Sequence, residues 1–80
     1  MDVVVYCRED CQESQVMREY LDSLGLEYRL KTVQNGDLGA TREWEDLDGE
    51  VTPLVVIDHS RIVRGLDRAR LDQHLGLNGS

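Results

Sequence analysis

Apolar residues cluster along the chain into short runs that predict four β-strands. These runs are residues 2–7, 28–33, 54–57 and 61–63. The first and third are continuously apolar, which is typical of strands that are covered on both faces of a sheet. Asn35-Gly36 ends the second strand, and Gly65 ends the fourth. Because just three residues, Asp58-His59-Ser60, separate the last two strands, we expect these strands to form an antiparallel hairpin.

Helical periodicity predicts three further elements. They are residues 12–24, 37–47 and 67–75. Apolar side chains recur at helical spacing in the first helix, at Val16, Met17, Tyr20, Leu21 and Leu24, and in the second, at Leu38, Trp44 and Leu47. Gly25 is placed to end the first helix, and Asp37 and Asp67 are placed to cap the N-termini of the other two. We expect residues 76–80 to form a frayed tail.

The order of these elements, βαβ-α-ββ-α, predicts an α/β fold in which helices cover a four-stranded sheet. The first strand–helix–strand unit should have parallel strands and a right-handed crossover, so together with the hairpin it gives a mixed sheet. Eighty residues suffice for one domain with a modest core, which we assign to residues 1–80.

Charge and hydropathy exclude several function classes. A net charge of −7 argues against a nucleic-acid partner, because phosphate binding depends on clustered Lys and Arg. No apolar stretch approaches the roughly 20 residues that span a bilayer. The N-terminus lacks the basic region of a signal peptide. We therefore expect a cytoplasmic protein with no membrane partner. We also expect a monomer.

The chain contains two cysteines, Cys7 and Cys11. In a short chain of this kind, two cysteines indicate catalysis or redox chemistry more than a disulfide framework. Together with His59 and His74 they do not follow the ligand spacing of a zinc finger. We therefore expect no metal site.

Cys11 is the strongest candidate for chemistry, because it lies at the junction between the first strand and the first helix. A helix N-terminus presents unpaired N–H groups and the positive end of a dipole, and both favour a thiolate. Arg8 could add a favourable charge, whereas Glu9, Asp10 and Glu13 oppose ionisation. The dipole contributes about 0.3–1 kcal/mol, less than one pKa unit. The alternative interpretation is a small buried apolar residue.

Two neighbouring residues bear on how Cys11 could work. Ser14, three residues later, cannot form a disulfide, but its hydroxyl could donate a hydrogen bond to a Cys11 thiolate. The alternative is an ordinary exposed helix serine. Cys7 could resolve a disulfide at Cys11, although burial at the end of a central strand is the favoured interpretation. Such a bond requires Cα atoms within about 7 Å.

The second half of the chain offers a proline loop and a glycine turn. Pro53 should mark the start of a strand, because proline is disfavoured inside a central one. Cis bonds make up about 5–6% of X–Pro bonds, so the residues alone favour a trans Thr52-Pro53 bond. Gly65 and Asp67 are explained without a ligand by a turn followed by a helix N-cap.

The chain resembles the glutaredoxin family of the thioredoxin superfamily over nearly its full length. The resemblance is carried by Val5-Tyr6-Cys7-Arg8-Glu9-Asp10-Cys11-Gln12-Glu13-Ser14, Leu21-Asp22-Ser23-Leu24-Gly25-Leu26-Glu27-Tyr28, Val51-Thr52-Pro53 and Gly65-Leu66-Asp67. It implies a thioredoxin-like (glutaredoxin) fold. It also implies that Cys11 is the N-terminal catalytic cysteine and that Ser14 replaces the resolving one.

The same resemblance implies a set of binding residues. Thr52-Pro53 matches the cis-proline loop, which in that family pairs through its backbone with a bound peptide or glutathione. Arg8 matches a residue that contacts the glutathione carboxylate. Asp67 matches a residue that contacts its amino end, and Gly65 belongs to the same segment.

Three segments depart from the family pattern: Gln12-Glu13 in the active-site motif, Thr52 where valine is usual, and Arg64-Gly65 where two glycines are usual. We expect these departures to weaken glutathione binding. They also make an iron–sulfur cluster, which monothiol relatives hold with glutathione, the less favoured cofactor.

The sequence thus predicts a monothiol thiol–disulfide oxidoreductase that acts on mixed disulfides, with glutathione as co-substrate. Cys11 would attack the mixed disulfide, and an external thiol would regenerate it. One alternative is a non-enzymatic module of the same fold that binds a protein partner or a cluster. Another is a two-thiol redox protein that uses Cys7 with Cys11.

Overall fold

The structure is a computed structural model that describes residues 1–34 and 37–76. Its strands are β1 (Val3–Cys7), β2 (Arg29–Thr32), β3 (Leu54–Ile57) and β4 (Arg61–Arg64). Its helices are α1 (Gln12–Ser23), α2 (Leu38–Asp46) and α3 (Arg68–Leu75). All seven predicted elements are present in the predicted order. The predicted turn Asn35-Gly36 and most of the predicted tail lie outside the described residues.

The four strands form one mixed sheet in the order β2-β1-β3-β4. Strand β1 runs parallel to β2 and antiparallel to β3, and β3 and β4 form the predicted antiparallel hairpin. The register pairs Tyr6, near the end of β1, with Leu54, at the start of β3. The loop that leaves β1 and the loop that enters β3 therefore lie at the same edge of the sheet.

Helices cover both faces of the sheet, as the continuously apolar strands predict. On one face, Val3 and Val5 of β1 join a core cluster with Met17 and Leu21 of α1 and Leu71 of α3. The opposite side chains of β1 pack against α2 in a second cluster that includes Trp44. Each large apolar side chain that is fully buried in this way contributes about 1.5–3 kcal/mol of stabilisation.

The predicted helix boundaries hold at the residues with a clear capping role. Gly25 has a positive φ of 70° just after α1, and the Asp37 and Asp67 side chains accept backbone N–H bonds at the starts of α2 and α3. Leu38, one of the apolar positions of the second predicted helix, is the first residue of α2 and is 75% exposed, so it lies outside the core. Leu24, the C-cap of α1, also lies partly in solvent, at 36% exposure.

Within the described residues, no helix is long and apolar enough to cross a membrane.

Candidate redox site

Cys11 is the N-cap residue of α1, with extended backbone angles of φ −92° and ψ 110°. Its carbonyl accepts the backbone N–H of Gln15 at 3.2 Å, and its own N–H bonds to the Arg8 carbonyl at 3.3 Å. This turn carries the chain from the end of β1 into α1. It leaves the Cys11 thiol free and partly exposed, at the junction that the sequence predicts.

Thr52 contacts the Cys11 sulfur through two different groups. The Thr52 hydroxyl donates to Cys11 Sγ at 3.2 Å, and the thiol in turn donates to the Thr52 carbonyl at 3.6 Å. The hydroxyl can donate a hydrogen bond to the thiolate and so stabilise it. The carbonyl can only accept a hydrogen bond, so it pairs with the protonated thiol and not with the thiolate. Thr52 therefore interacts with both protonation states of Cys11.

Ser14 is buried, contrary to the interpretation as an exposed helix serine. Its side chain is 2% exposed, and its Oγ has no hydrogen-bond partner of good geometry among the described residues. A buried hydroxyl without a hydrogen-bond partner reduces the stability of the fold, so its presence indicates a partner in another state of the site. Ser14 Oγ lies one helical turn from Cys11 and close enough to its sulfur to favour ionisation, so the thiolate is the natural acceptor.

These neighbours lower the pKa of the Cys11 thiol. Burial opposes ionisation, but the hydroxyls of Ser14 and Thr52 and the backbone N–H groups of Ser14 and Glu13 outweigh it. The sulfur makes no capping hydrogen bond with the helix backbone, so the two N–H groups act as nearby dipoles. The direction agrees with the thiolate predicted at a helix N-terminus.

Arg8 is connected to the site through Thr52. Its Nε–H donates to the Thr52 hydroxyl at 3.3 Å, and its Nη1 donates to Gln34 Oε1 at 3.3 Å. Gln34 is a site residue that sequence reasoning missed, because it follows β2 without any motif. Sequence reasoning likewise assigns Thr52 a role through its backbone and misses the role of its hydroxyl. The signal available for that role is a threonine directly before the proline.

The Thr52-Pro53 peptide bond is cis, as the family resemblance implies and contrary to the expectation from base rates. The loop before it is anchored to α2, because Trp44 Nε1 donates to the Val51 carbonyl at 3.0 Å. Gly49 packs directly on Trp44 and bonds to its carbonyl at 2.9 Å. The Thr52 loop is therefore fixed from the α2 side of the sheet.

Gly65 pairs with the proline loop, and Asp67 begins α3; among the described residues, neither forms a hydrogen bond with Cys11. The Gly65 N–H bonds to the Pro53 carbonyl at 2.8 Å, and Gly65 has a positive φ of 77°. The Asp67 carboxylate accepts the Arg70 backbone N–H at 3.0 Å, which is the N-cap role that needs no ligand. Asp48, Glu50 and exposed Val51 line an open cavity beside Gly65.

Cys7 occupies a different environment, although it is four residues from Cys11. It is 4% exposed at the end of β1, and burial raises the pKa of its thiol. Both cysteines are free thiols. The burial agrees with the packing interpretation of Cys7, and no exposed second thiol accompanies Cys11.

The surroundings of Cys11 are acidic. Glu9, Asp10 and Glu13 are all exposed on the loop and the first turn of α1. Within residues 1–34 and 37–76, no three His, Cys, Asp or Glu side chains come together as a metal ion would require.

Comparison with solved structures identifies the class of fold. A crystal structure of a mutant of the thioredoxin-like protein BC3987 matches with a TM-score of 0.85 and 29% identity, covering 96% of this chain and 97% of that chain. A second crystal structure of BC3987 matches with a TM-score of 0.77 and 29% identity, over 90% and 97%. No family model and no curated protein match the chain.

The chain therefore has a thioredoxin-like fold, and the similarity supports a place in the thioredoxin superfamily. The predicted fold class is confirmed.

Proposed function

We propose that the protein is a glutaredoxin-like oxidoreductase that exchanges thiols and disulfides through the single sulfur of Cys11. The observation that carries this proposal is the partly exposed Cys11 thiol with a lowered pKa, beside Thr52 of the cis-proline loop. A thiolate is the attacking species in disulfide exchange, so this position suits a nucleophile.

The reaction needs one protein thiol. The Cys11 thiolate attacks the glutathione sulfur of a mixed disulfide between a substrate and glutathione, forms a Cys11–glutathione disulfide and releases the substrate as a thiolate. A second glutathione thiolate then attacks that disulfide. It forms oxidised glutathione and returns Cys11 to its thiolate. The substrate sulfur is thereby reduced and one free glutathione is oxidised, while the glutathione of the mixed disulfide becomes the other half of the product.

Ser14 and Thr52 would stabilise the charge on Cys11 before the attack and again when the thiolate leaves. The burial of the Ser14 hydroxyl beside the sulfur supports this role, because no other acceptor is in reach among the described residues. The proline loop and the segment from Gly65 to Asp67 would bind the glutathione part of the disulfide. Arg8 is the candidate for its carboxylate, as the family resemblance implies.

The test is deglutathionylation of a model mixed disulfide with glutathione as reductant. We expect Cys11→Ser to lose turnover to the uncatalysed rate. The matched variant Cys7→Ala should retain it once its folding is checked by thermal unfolding. Full activity of Cys11→Ser would overturn the proposal.

A two-thiol reaction is the second candidate function. It is favoured by the Cys-x-x-x-Cys spacing and by the pKa of the Cys7 thiol, which burial raises and a charge on Cys11 raises further. Mild oxidation followed by mass spectrometry would show a loss of about 2 Da if the two cysteines form a disulfide. Cys7→Ala would then lose turnover with a dithiol reductant. Retained turnover and an unchanged mass would support the one-thiol reaction.

A further inference from the structure

One hydroxyl joins Arg8 to Cys11. Thr52 Oγ1 accepts a hydrogen bond from Arg8 Nε at 3.3 Å and donates one to Cys11 Sγ at 3.2 Å. Thr52 lies 44 positions after Arg8 and 41 positions after Cys11 in the sequence, and both hydrogen bonds are partly buried.

We infer that Arg8 is a positioning residue that acts on Cys11 through Thr52, by fixing the Thr52 hydroxyl as a donor to the sulfur. Arg8 would thereby serve the reacting thiol. The family resemblance implies a different role, in which Arg8 contacts a ligand carboxylate.

The hydrogen inventory of the hydroxyl supports this inference. A threonine hydroxyl has one hydrogen and two lone pairs, and it rotates to suit its partners. A guanidinium can donate and cannot accept, so the Arg8 contact occupies a lone pair of Oγ1 and turns the hydroxyl hydrogen away from Arg8. The remaining polar partner of that hydroxyl is Cys11 Sγ. When the sulfur is ionised, the bond from the hydroxyl becomes charge-assisted and stronger.

Gln34 holds the guanidinium in this orientation. Its Oε1 accepts from Arg8 Nη1 at 3.3 Å, while Nε remains on Thr52. Two separate acceptors are thus served by two different nitrogens of one planar group, whereas lysine would have to reach both acceptors from a single nitrogen. Lysine at position 8 would keep the charge and lose the geometry.

The charges around Cys11 show why a directed donor matters. The loop and α1 place exposed Glu9, Asp10 and Glu13 beside it, and these carboxylates oppose a thiolate. Titratable groups also lie on the other packed elements. From β1 there is the Cys7 thiol, whose pKa burial raises, so that it adds no charge at neutral pH. Beside the proline loop, the cavity at Gly65 is lined by Asp48, Glu50 and Arg64. The balance is acidic, so stabilisation of the thiolate depends on hydrogen-bond donors at short range.

This inference rests on the proposed function for its effect on turnover, but its central step is measured without any substrate. The measurement is the rate of Cys11 alkylation by iodoacetamide as a function of pH, read on the Cys11 peptide by mass spectrometry. Thr52→Val removes the hydroxyl at nearly constant volume, and Thr52→Ser restores it. We expect the valine variant to react about threefold to tenfold more slowly at neutral pH and the serine variant to remain near the native rate.

The decisive comparison combines Arg8→Met with Thr52→Val. If Arg8 acts through the hydroxyl, Arg8→Met slows alkylation in the native background and has much less effect once Thr52 is valine. Arg8→Lys should slow it nearly as much as Arg8→Met. Equal effects of Arg8→Met in both backgrounds, or a native rate for Arg8→Lys, would mean that Arg8 acts by charge alone and would overturn the inference. Arg42→Met, at an exposed site on α2, is the control for loss of one positive charge.

Turnover separates the two roles of Arg8. A positioning role predicts that Arg8→Met lowers kcat with little change in the KM for the glutathione disulfide. A raised KM together with native alkylation would show a carboxylate-binding role and contradict the inference. If Cys11→Ser kept full turnover, the proposed function would fail, while the alkylation comparison would still decide the link from Arg8 to Cys11.

Discussion

The two cysteines lie four residues apart, and the fold gives them opposite chemistry. Cys7 ends a central strand between two layers of side chains, and burial raises the pKa of its thiol. Cys11 begins a helix, with hydroxyl and backbone donors around its sulfur, and its thiol pKa is lowered despite partial burial. The loop of Arg8 to Asp10 is long enough to take the chain out of the sheet. Proximity in sequence therefore says little about the reactivity of a thiol.

The largest expected difference is in reactivity at neutral pH. In the folded protein, we expect iodoacetamide to modify Cys11 at least about 100-fold faster than Cys7, because Cys7 reacts only when the chain opens. In denaturant the two rates should become similar. Peptide mass spectrometry on a time course measures both sites at once, and comparable rates in the folded protein would contradict the contrast.

A substitution in the loop that holds Thr52 should affect Cys11 more than Cys7. At Gly49, an added Cβ would lie 2.6 Å from ring atoms of Trp44, so Gly49→Ala should reduce the free energy of unfolding by about 1–3 kcal/mol. It should also slow Cys11 alkylation. Urea unfolding measures the first effect.

Gly39→Ala is the matched control for that substitution. An added Cβ there meets a single side chain, the exposed Asp37 carboxylate at 3.2 Å, and alanine is the better helix former. We expect an unchanged or slightly increased free energy of unfolding. A similar loss for both alanine variants would show that the contact with Trp44 is not the cause.

The pH dependence of stability should have opposite signs for the two thiols. A lowered pKa at Cys11 contributes stability above the unfolded pKa of about 8.5, and this is lost as pH falls through the folded value. A raised pKa at Cys7 contributes stability below the unfolded pKa, which is lost as pH rises through the folded value. The stability difference between native protein and Cys11→Ser should therefore grow with pH, and that for Cys7→Ser should shrink. Urea unfolding under reducing conditions at pH 6 and 9.5 tests both signs.

The smallest expected effect comes from the acidic surroundings. Glu13→Gln removes an exposed negative charge beside Cys11 and should raise its alkylation rate by less than about twofold at low salt, because solvent screens the charge. Cys7 should not respond. The effect should disappear at high salt, and Glu45→Gln on α2 is the control. A large effect that persists in salt would mean that Glu13 acts by contact.

Local sequence patterns are enough to predict most of the fold, but they predict only part of the site around Cys11. The apolar run at residues 54–57 coincides with β3, and the caps Asp37 and Asp67 lie where short-range hydrogen bonding demands. Cys11 could be singled out because a helix N-terminus is a local feature. The Thr52 hydroxyl and Gln34 could not, since their contacts depend on how distant segments meet. The exposure of Leu38 could not be predicted either, since helical spacing alone does not indicate which apolar residues of a helix the sheet covers.

The pairing of β1 with β3 has a consequence for the newly made chain. Cys11 is synthesised 41 residues before Thr52, and the strand that carries Thr52 into place is the third of the four. Until β3 joins β1, Cys11 lacks the hydroxyl of Thr52 and is closer to an ordinary thiol, largely protonated at neutral pH. Under the proposed function, the reactive form of Cys11 is therefore completed only when the sheet forms, and a nascent or unfolded chain should exchange disulfides less readily than the folded protein.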